Sequence, residues 1–533
     1  MTDAPNNLAG ELAPWKPAVN PLIIAMTVML ATFMEVLDTS IANVALPHIA
    51  GNLSAGIDES TWVLTSYLVS NAIVLPLSGW FSSIFGRKRF FSVCVGLFTV
   101  SSLLCGLAPN LGWLVFFRVL QGAGGGSMQP LSQAILIESF PKSKRGMAMA
   151  IYAMGVVVAP IIGPTVGGWI TDNYTWRWIF LINVPIGILA ILLASAVVED
   201  PPYLHRRKLR QLRIDYVGLS LLCIGLGALQ IMLDKGQRED WFSSNFIIVL
   251  LVVTVASLLV LVIWEWWQHD PVLELHLLKD RNFAGATATM FLLGFVLYGS
   301  LVLLPLLLQT LLGYTAELSG MVLSPGGIVT LITLPLVGRL LARFEARWLI
   351  VIGVFITAYS LLMMSRFNLE VDFWTSVWTR MVQGVGLAFL FVPVNNMAFY
   401  FVPREKTNYA SGLINLARNI GGSCGIAFAA TVLSRWSQAH QNYMVCNLSP
   451  LNPQFQTATQ AATNMLVQQG QAPSVAQNQA QQLIYSNMVR QATMMSFNDV
   501  FFLMAATFLI LIPVLLVMKK APPHREGDMP AAH

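Results

Sequence analysis

Two acids three positions apart, Glu35 and Asp38, lie inside an apolar stretch long enough to cross a bilayer, and Thr39 and Asn43 continue their stripe at helical spacing. Dehydration at mid-membrane opposes a carboxylate's charge, as does a second carboxylate nearby, so such a pair can exchange protons under cellular conditions. The alternative is structural: the acids only pair with Arg118 or cap polar groups between helices, and removing one partner then strands the other. Arg118 opens a second polar stripe through Gln121, Gly125 and Gln129, and Gly122, Gly124, Gly125 and Gly126 let a neighbouring helix approach closely. A cation that moves toward or away from the acids ties proton affinity to conformation. Arg380 and Gln383 repeat Arg118 and Gln121 262 positions later. There the acid is missing, because the shift of 258 that aligns Leu46-Pro47 with Leu304-Pro305 sets Val296 opposite Asp38. Arg418 is the third cation in an apolar stretch and is expected to face a central cavity. The expected coupling set is therefore Glu35, Asp38 and Arg118. Substrate contacts are expected at Thr39, Asn43, Gln121, Gln129, Arg380, Gln383 and Arg418.

The elements that must hold these groups are membrane helices. Apolar residues make up 56% of the 533 and charged ones 11%, which excludes the half-polar elements of a soluble globule. Windows of about 20 apolar residues fall at 22–46, 61–81, 90–108, 112–136, 147–170, 177–198, 215–234, 245–267, 283–308, 318–341, 348–365, 374–400, 409–433 and 498–518, here spans 1 to 14. With a cytoplasmic amino terminus, 22 of the 31 Lys and Arg face inward, 6 face outward and three lie within spans. That asymmetry places both termini in the cytoplasm. It also accounts for the net charge of +5 without nucleic acid. Span 1 is too long for a signal-peptide core, and five cysteines form neither a disulfide framework nor a metal spacing.

The chain repeats itself. Arg118-Val-Leu-Gln121-Gly122-Ala-Gly124 returns as Arg380-Met-Val-Gln383-Gly384-Val-Gly386, Leu75-Pro76-Leu77-Ser78-Gly79 as Leu334-Pro335-Leu336-Val337-Gly338, and Pro141-Lys142-Ser-Lys144 as Pro403-Arg404-Glu-Lys406. Spans 2 and 4 thus echo spans 10 and 12. The expected fold is an all-α integral membrane protein: two six-helix bundles, at 21–200 and 282–520, with an inserted connector and spans 7 and 8 at 201–281. Cytoplasmic tails occupy 1–20 and 521–533. The connector's basic run, Arg206-Arg207-Lys208-Leu209-Arg210, serves the orientation rule. Duplicated hydrophobic halves mark secondary transporters, whose site lies where the halves meet. Residues 434–497, rich in Gln and Asn and without an acid, are expected outside the membrane. They read as a solvated loop, short amphipathic helices or a docking surface.

Two places could move. Span 5 sets Gly155, Ala159, Gly163 and Gly167 on one face, interrupted by Pro160 and Pro164 and followed by Gly168. Helix packing explains the small residues, and the prolines equally suggest a gate. After span 2, Gly79 and Gly86 flank a turn that leads into Arg87-Lys88-Arg89, expected to act as a hinge. No phosphate-binding Gly-Lys-Ser/Thr loop, zinc-type His spacing or nucleophile elbow is present. No metal or cofactor is expected, and the energy is expected from a proton gradient.

These landmarks resemble the major facilitator superfamily, and over nearly the whole chain its fourteen-helix drug:proton antiporter branch. Leu37-Asp38-Thr39 to Asn43-Val-Ala-Leu-Pro47 is similar to that branch's first-helix signature, Arg118-x-x-Gln121-Gly122 to its fourth-helix motif, and Gly163-Pro164-Thr-Val-Gly167-Gly168 to the antiporter motif of span 5. The resemblance implies proton coupling at the acid and at Arg118. Gly79 to Lys88 resembles the gating loop, but Ser83 stands at the usual Asp and Ile84 at the usual base, which leaves the charge latch unsupported. Span 1 and the run Asp172 to Gly187 are most similar to EmrB-type multidrug exporters of Gram-negative bacteria. The resemblance implies an inner-membrane pump of hydrophobic or amphiphilic toxic compounds, surrounded by lipid. It also implies a periplasmic adaptor protein docked on 434–497 and, through it, an outer-membrane channel. A proton-coupled nutrient importer is the near alternative, against which the span 5 motif argues. A membrane-embedded lipid-modifying enzyme is the other.

Overall fold

The computed structural model describes residues 17–141, 144–201, 215–268, 271–400 and 402–518. The tails through residue 16 and from 519, the run Arg206 to Arg210, and Lys142 and Ser143 of the Pro141 echo lie outside the described residues. Among the described residues every regular element is helical. Span 1 is Pro21–Asn52, span 2 Trp62–Phe85, span 3 Arg87–Gly106, span 7 Tyr216–Lys235, span 8 Asn245–Trp267, span 9 Arg281–Thr310, span 10 Ala316–Leu340, span 11 Ala346–Met364, span 12 Phe373–Phe399, span 13 Thr407–Val445 and span 14 Pro473–Leu509. Span 6 is Trp178–Val197.

Those twelve are long and apolar enough to cross a membrane. Span 5, Arg145–Asn173, makes a thirteenth when its two parts are taken together across a bend of 42° after Pro160. The remaining expected segment, span 4, is broken into Leu111–Gly125 and Met128–Ser139. Pro130 has no N–H to give the Gly126 carbonyl, and the glycines before it place little side chain against the turn. Starts are set locally: Asn20, Asn110, Asp215, Asp280 and Thr315 each accept a backbone N–H of the helix they precede.

The duplication is visible in packing. A Cβ on Gly122 would meet the Tyr67 carbonyl at 2.4 Å, and one on Gly384 would meet the Gly326 carbonyl at 2.4 Å. The same relation holds between span 4 or 12 and the third helix of its lobe, where Gly124 abuts Phe98 and Gly386 abuts Thr357. Without a hydrophobic drive in lipid, such backbone-to-backbone approach is what associates the helices.

The lobes meet along two seams. Span 5 runs against span 10, with Gly146 facing Gly338 at one end and Thr165 facing Gly320 at the other. Span 2 runs against span 13, Gly79 lying on Tyr409. The inserted span 7 covers this second seam. It is tied to span 2 by Thr65 to Asp234, and to span 13 by Ser423 donating to Gln230 at 3.0 Å. We call the end that carries Arg87, Lys144 and Arg339 the basic face, and the opposite end the loop face.

Residues 434–497 are largely helical. Span 13 continues to Val445, Pro453–Gln468 follows, and span 14 begins at Pro473. Gln, Ala and Met are good helix formers, Pro453 and Pro473 occupy first turns, and Gly470 makes the intervening turn at φ +94°.

Candidate functional site: two carboxylates in separate networks

Asp38 is enclosed within the first lobe. Its oxygens accept Arg118 Nη1 at 2.6 Å, Gln121 Nε2 at 3.0 Å and Asn183 Nδ2 at 2.7 Å. Arg118 is 0% exposed. It also donates to the Gln121 side chain at 2.8 Å and to the Val63 carbonyl at 2.9 Å, and its guanidinium lies 4.2 Å from the Tyr67 ring centre. One charged donor and two amide donors thus converge on one carboxylate, in a dry place where the attraction to the guanidinium is strong.

Glu35, one helical turn earlier, belongs to a different network. Tyr67 OH and Asn71 Nδ2 donate to one oxygen, both at 3.1 Å, and Gln129 Nε2 donates to the other at 2.6 Å. Gln129 in turn accepts Arg418 of the second lobe. The two acids therefore share a helix face but not a partner. Tyr67 joins the networks, its ring over Arg118 and its hydroxyl on Glu35.

Glu35, Thr39, Tyr67, Asn71, Gln129, Tyr298, Arg418 and Ser423 line a cavity of about 90 Å³ between the lobes. That admits water, whereas a drug-sized ligand needs roughly 300 Å³ or more. The lobes must separate before such a ligand fits. Arg418 faces the cavity as expected from its isolation in span 13, and Thr39 lines it. Asn43 lies exposed beyond it, donating to the Thr39 carbonyl, and Gln121 is turned away toward Asp38.

The second lobe lacks the acid but keeps its holder. Arg380 bonds Gln383, whose Nε2 donates to Ser300 Oγ at 3.0 Å. Gln121 to Asp38 and Gln383 to Ser300 bridge the same separation, 83 residues. Ser300, not Val296, occupies the acid's position. Arg380 Nη2 has no hydrogen-bond partner among the described residues, and neither Arg380 nor Gln383 lines the cavity. Ser300→Asp is expected to supply the missing carboxylate. A thermal-unfolding double-mutant cycle with Arg380→Gln should show coupling of about 2 to 3 kcal/mol. Zero coupling would refute the equivalence.

On the basic-face side of the cavity the lobes are tied by neutral hydrogen bonds. Gln133 Oε1 accepts Ser411 Oγ and Asn415 Nδ2, both at 2.6 Å, while its Nε2 reaches Asn395. Tyr152 OH donates to Asn415 at 3.0 Å, and Asn408 Nδ2 to Ser82 Oγ at 2.8 Å. Gln133 and Asn183 were missed by the sequence reading, although the i+4 step after Gln129 and the position of a sole amide in its span would have singled them out. Tyr67, Asn71, Asn395 and Asn415 gave no distinguishing signal among ordinary polar residues.

On span 5, Gly155 faces Met29, Gly163 faces Ser40 and Gly167 faces Ile41, all on span 1, with Gly168 beside Val44. The stripe is a packing surface. Pro164 has no N–H for the Pro160 carbonyl, and Ser40 Oγ donates to that oxygen at 3.0 Å instead. Gly86 adopts φ +79°, the left-handed region that glycine tolerates, between spans 2 and 3. Arg87 directly after it is paired with Glu138 at the end of span 4, both buried. A charge tie thus exists at the turn although Ser83 replaces the usual acid.

The model of the Major Facilitator Superfamily matches residues 28–426. The chain is 38% identical over 515 residues to the multidrug export protein EmrB of Escherichia coli (strain K12), covering 96% of this chain and 98% of that one. It is 38% identical to the fatty acid resistance protein FarB of Neisseria gonorrhoeae over 95% of this chain and 97% of that protein. The solved proton:xylose symporter XylE has the same fold, with a TM-score of 0.57, 13% identity and coverage of 92% and 96%. A buried ion pair, a cavity between two duplicated lobes and these likenesses describe a transporter rather than an enzyme. The chain belongs to the Major Facilitator Superfamily and, within it, to the family of the EmrB multidrug export proteins.

Proposed function

We propose that this multidrug transporter is a proton-driven antiporter that exports hydrophobic and amphiphilic compounds across the inner membrane by alternating access. The basic face is cytoplasmic, since Lys and Arg concentrate there. The basic end is closed by the Gln133 ties, and at the loop end span 5 meets span 10 at Thr165 and Gly320. The observation that carries the proposal is the chain Glu35–Gln129–Arg418, which links a carboxylate of one lobe to a cation of the other across the cavity.

A proton arriving from the loop face neutralises Glu35 and weakens its hold on Gln129, and through it on Arg418. The lobes are then free to reorient, and the proton leaves on the cytoplasmic side when the carboxylate is rehydrated. Arg118 is bonded directly to Asp38, so proton exchange there requires the helices that hold the pair to shift. Compounds enlarge the cavity as they enter. Tyr298, which lines the cavity with Arg418, offers aromatic surface with little directional demand. One charge moving through 100 mV supplies about 2.3 kcal/mol, a gradient of roughly 50-fold.

The helical projection on the loop face exposes Tyr443, Leu451, Met465 and Tyr485. This apolar surface on a soluble element suits a periplasmic adaptor protein, which would connect the pump to an outer-membrane channel. In inside-out vesicles an imposed acid interior should drive uptake of a fluorescent cationic drug, collapsed by a proton ionophore. An importer would instead expel the drug, and an active preparation that accumulates none would refute export.

A further inference from the structure

At the basic face the seam between spans 5 and 10 opens into a cleft of about 960 Å³. The Asn20-Pro21-Leu22 start of span 1, Phe140, Pro141, Lys144 and Met147 form one wall, and Leu336 to Arg343 the other. Three of its residues are basic, Lys144 from the first lobe and Arg339 and Arg343 from the second, and none is acidic. All three are exposed, and none forms an ion pair with a described residue. Exposed Leu22 and Leu336 stand beside them. Cations at the headgroup level above apolar side chains match a phospholipid, with its phosphate at the interface and its chains below.

We infer that this cleft binds the headgroup of an anionic phospholipid from the cytoplasmic leaflet, and that the bound lipid holds the basic end of the transporter closed. The orientation and the two-state motion rest on the function proposed above; the binding site itself does not. Lys144 and the two arginines are on different lobes, and Gly146 meets Gly338 immediately beneath them. Opening this end would pull the cations apart, so a headgroup that contacts both sets binds the closed state better. A ligand shifts a conformational equilibrium by its differential affinity for the two states. Repulsion among three like charges favours opening, and the phosphate removes it. Drug cations are poor occupants for the same reason, and the apolar floor distinguishes a lipid from free phosphate.

The test uses the full-length protein in phosphatidylcholine nanodiscs with and without phosphatidylglycerol, and two readouts. Retention of phosphatidylglycerol is measured by native mass spectrometry. The distance between spin labels at the basic ends of spans 5 and 10 reports closure. Each basic side chain near a membrane surface contributes roughly fivefold to such binding, so K144Q/R339Q/R343Q should lose about a hundredfold in selectivity for phosphatidylglycerol. The exposed single change Arg343→Gln should lose a smaller part. R89Q/K279Q/R281Q, which removes basic residues of the same face outside the cleft, should keep the selectivity. Phosphatidylglycerol should also shift the labels toward the short distance, in wild type and not in the cleft variant. The proposal is overturned by unchanged selectivity in the cleft variant. It is equally overturned by displacement with inorganic phosphate or a fatty acid at matched concentration, or by binding that leaves the distances unmoved. Neither readout requires transport, so an inactive pump and an empty cleft give different results.

Discussion

Asp38→Asn is expected to abolish drug-dependent proton release, a loss of at least about a hundredfold, while drug still binds. Asp38 accepts three buried donors, from Arg118, Gln121 and Asn183. An amide can replace the shape but not the charge, and its own N–H₂ would face one of those donors. Arg118 would be left as an uncompensated cation at 0% exposure, at a cost of about 3 to 5 kcal/mol. Loss of fold and loss of coupling are separated by Asp38→Asn/Arg118→Gln, which removes both charges. This double variant should recover most of the melting temperature and none of the proton release. Drug-induced pH change from detergent-solubilised protein measures the coupling, and tryptophan quenching measures the binding. Normal proton release in Asp38→Asn would eliminate Asp38 as a coupling residue and leave Glu35 to carry the exchange.

The second large effect is structural. Arg87 grips Glu138 with both terminal nitrogens, one at 2.7 Å, and their side chains are 1% and 3% exposed. Glu138→Gln removes the bidentate carboxylate from a buried guanidinium and should destabilise the protein by about 3 to 5 kcal/mol, seen as a lower midpoint of thermal unfolding in detergent. Arg87→Gln on the same background should restore much of that stability, because no stranded charge is left. A midpoint unchanged in Glu138→Gln would show that the pair is hydrated and contributes little, as exposed ion pairs do. Because Arg87 begins span 3 directly after Gly86, and the preceding span 2 touches the second lobe at Ser82 and Gly79, the same substitution should also loosen the closed basic end.

Much of this arrangement was legible in the sequence for definite physical reasons. Glu35, Asp38 and Arg118 could be grouped in advance, because a charge inside an apolar stretch has few acceptable surroundings, but which acid Arg118 holds could not be read. The duplicated lobes were legible from glycines whose contacts admit no Cβ, at Gly122 and Gly384 above all. The position of the missing acid was not. Shifts of 258 and 262 differ by four residues, about one helical turn, so Val296 and Ser300 share a face. Pattern alone cannot choose between levels of the same stripe; the hydrogen bond from Gln383 does. Glu138 was likewise hidden, because its partner Arg87 is 51 residues away on another span and the expected acid at position 83 is a serine. The division of Glu35 and Asp38 between two networks depends on where Tyr67 and Gln129 point, which spacing along span 1 does not encode. Residues 434–497 were ambiguous for a different reason: Gln-rich composition permits helix and coil alike, and packing of Pro453–Gln468 and span 14 against one another decides in favour of helix.

Span 13 is 39 residues long, which at about 1.5 Å per residue makes roughly 58 Å of continuous helix, against a hydrocarbon layer of about 30 Å. Ser411 and Asn415 near its start hold the closure at one membrane face, Arg418 sits at the level of Glu35, and Tyr443 lies near the far tip. A stiff rod rotating about a point near its base sweeps its free end through the larger arc. The outer tip is thus a pointer geared to the opposite side of the bilayer, and anything gripping it can sense, or resist, each stroke without touching the transported compound.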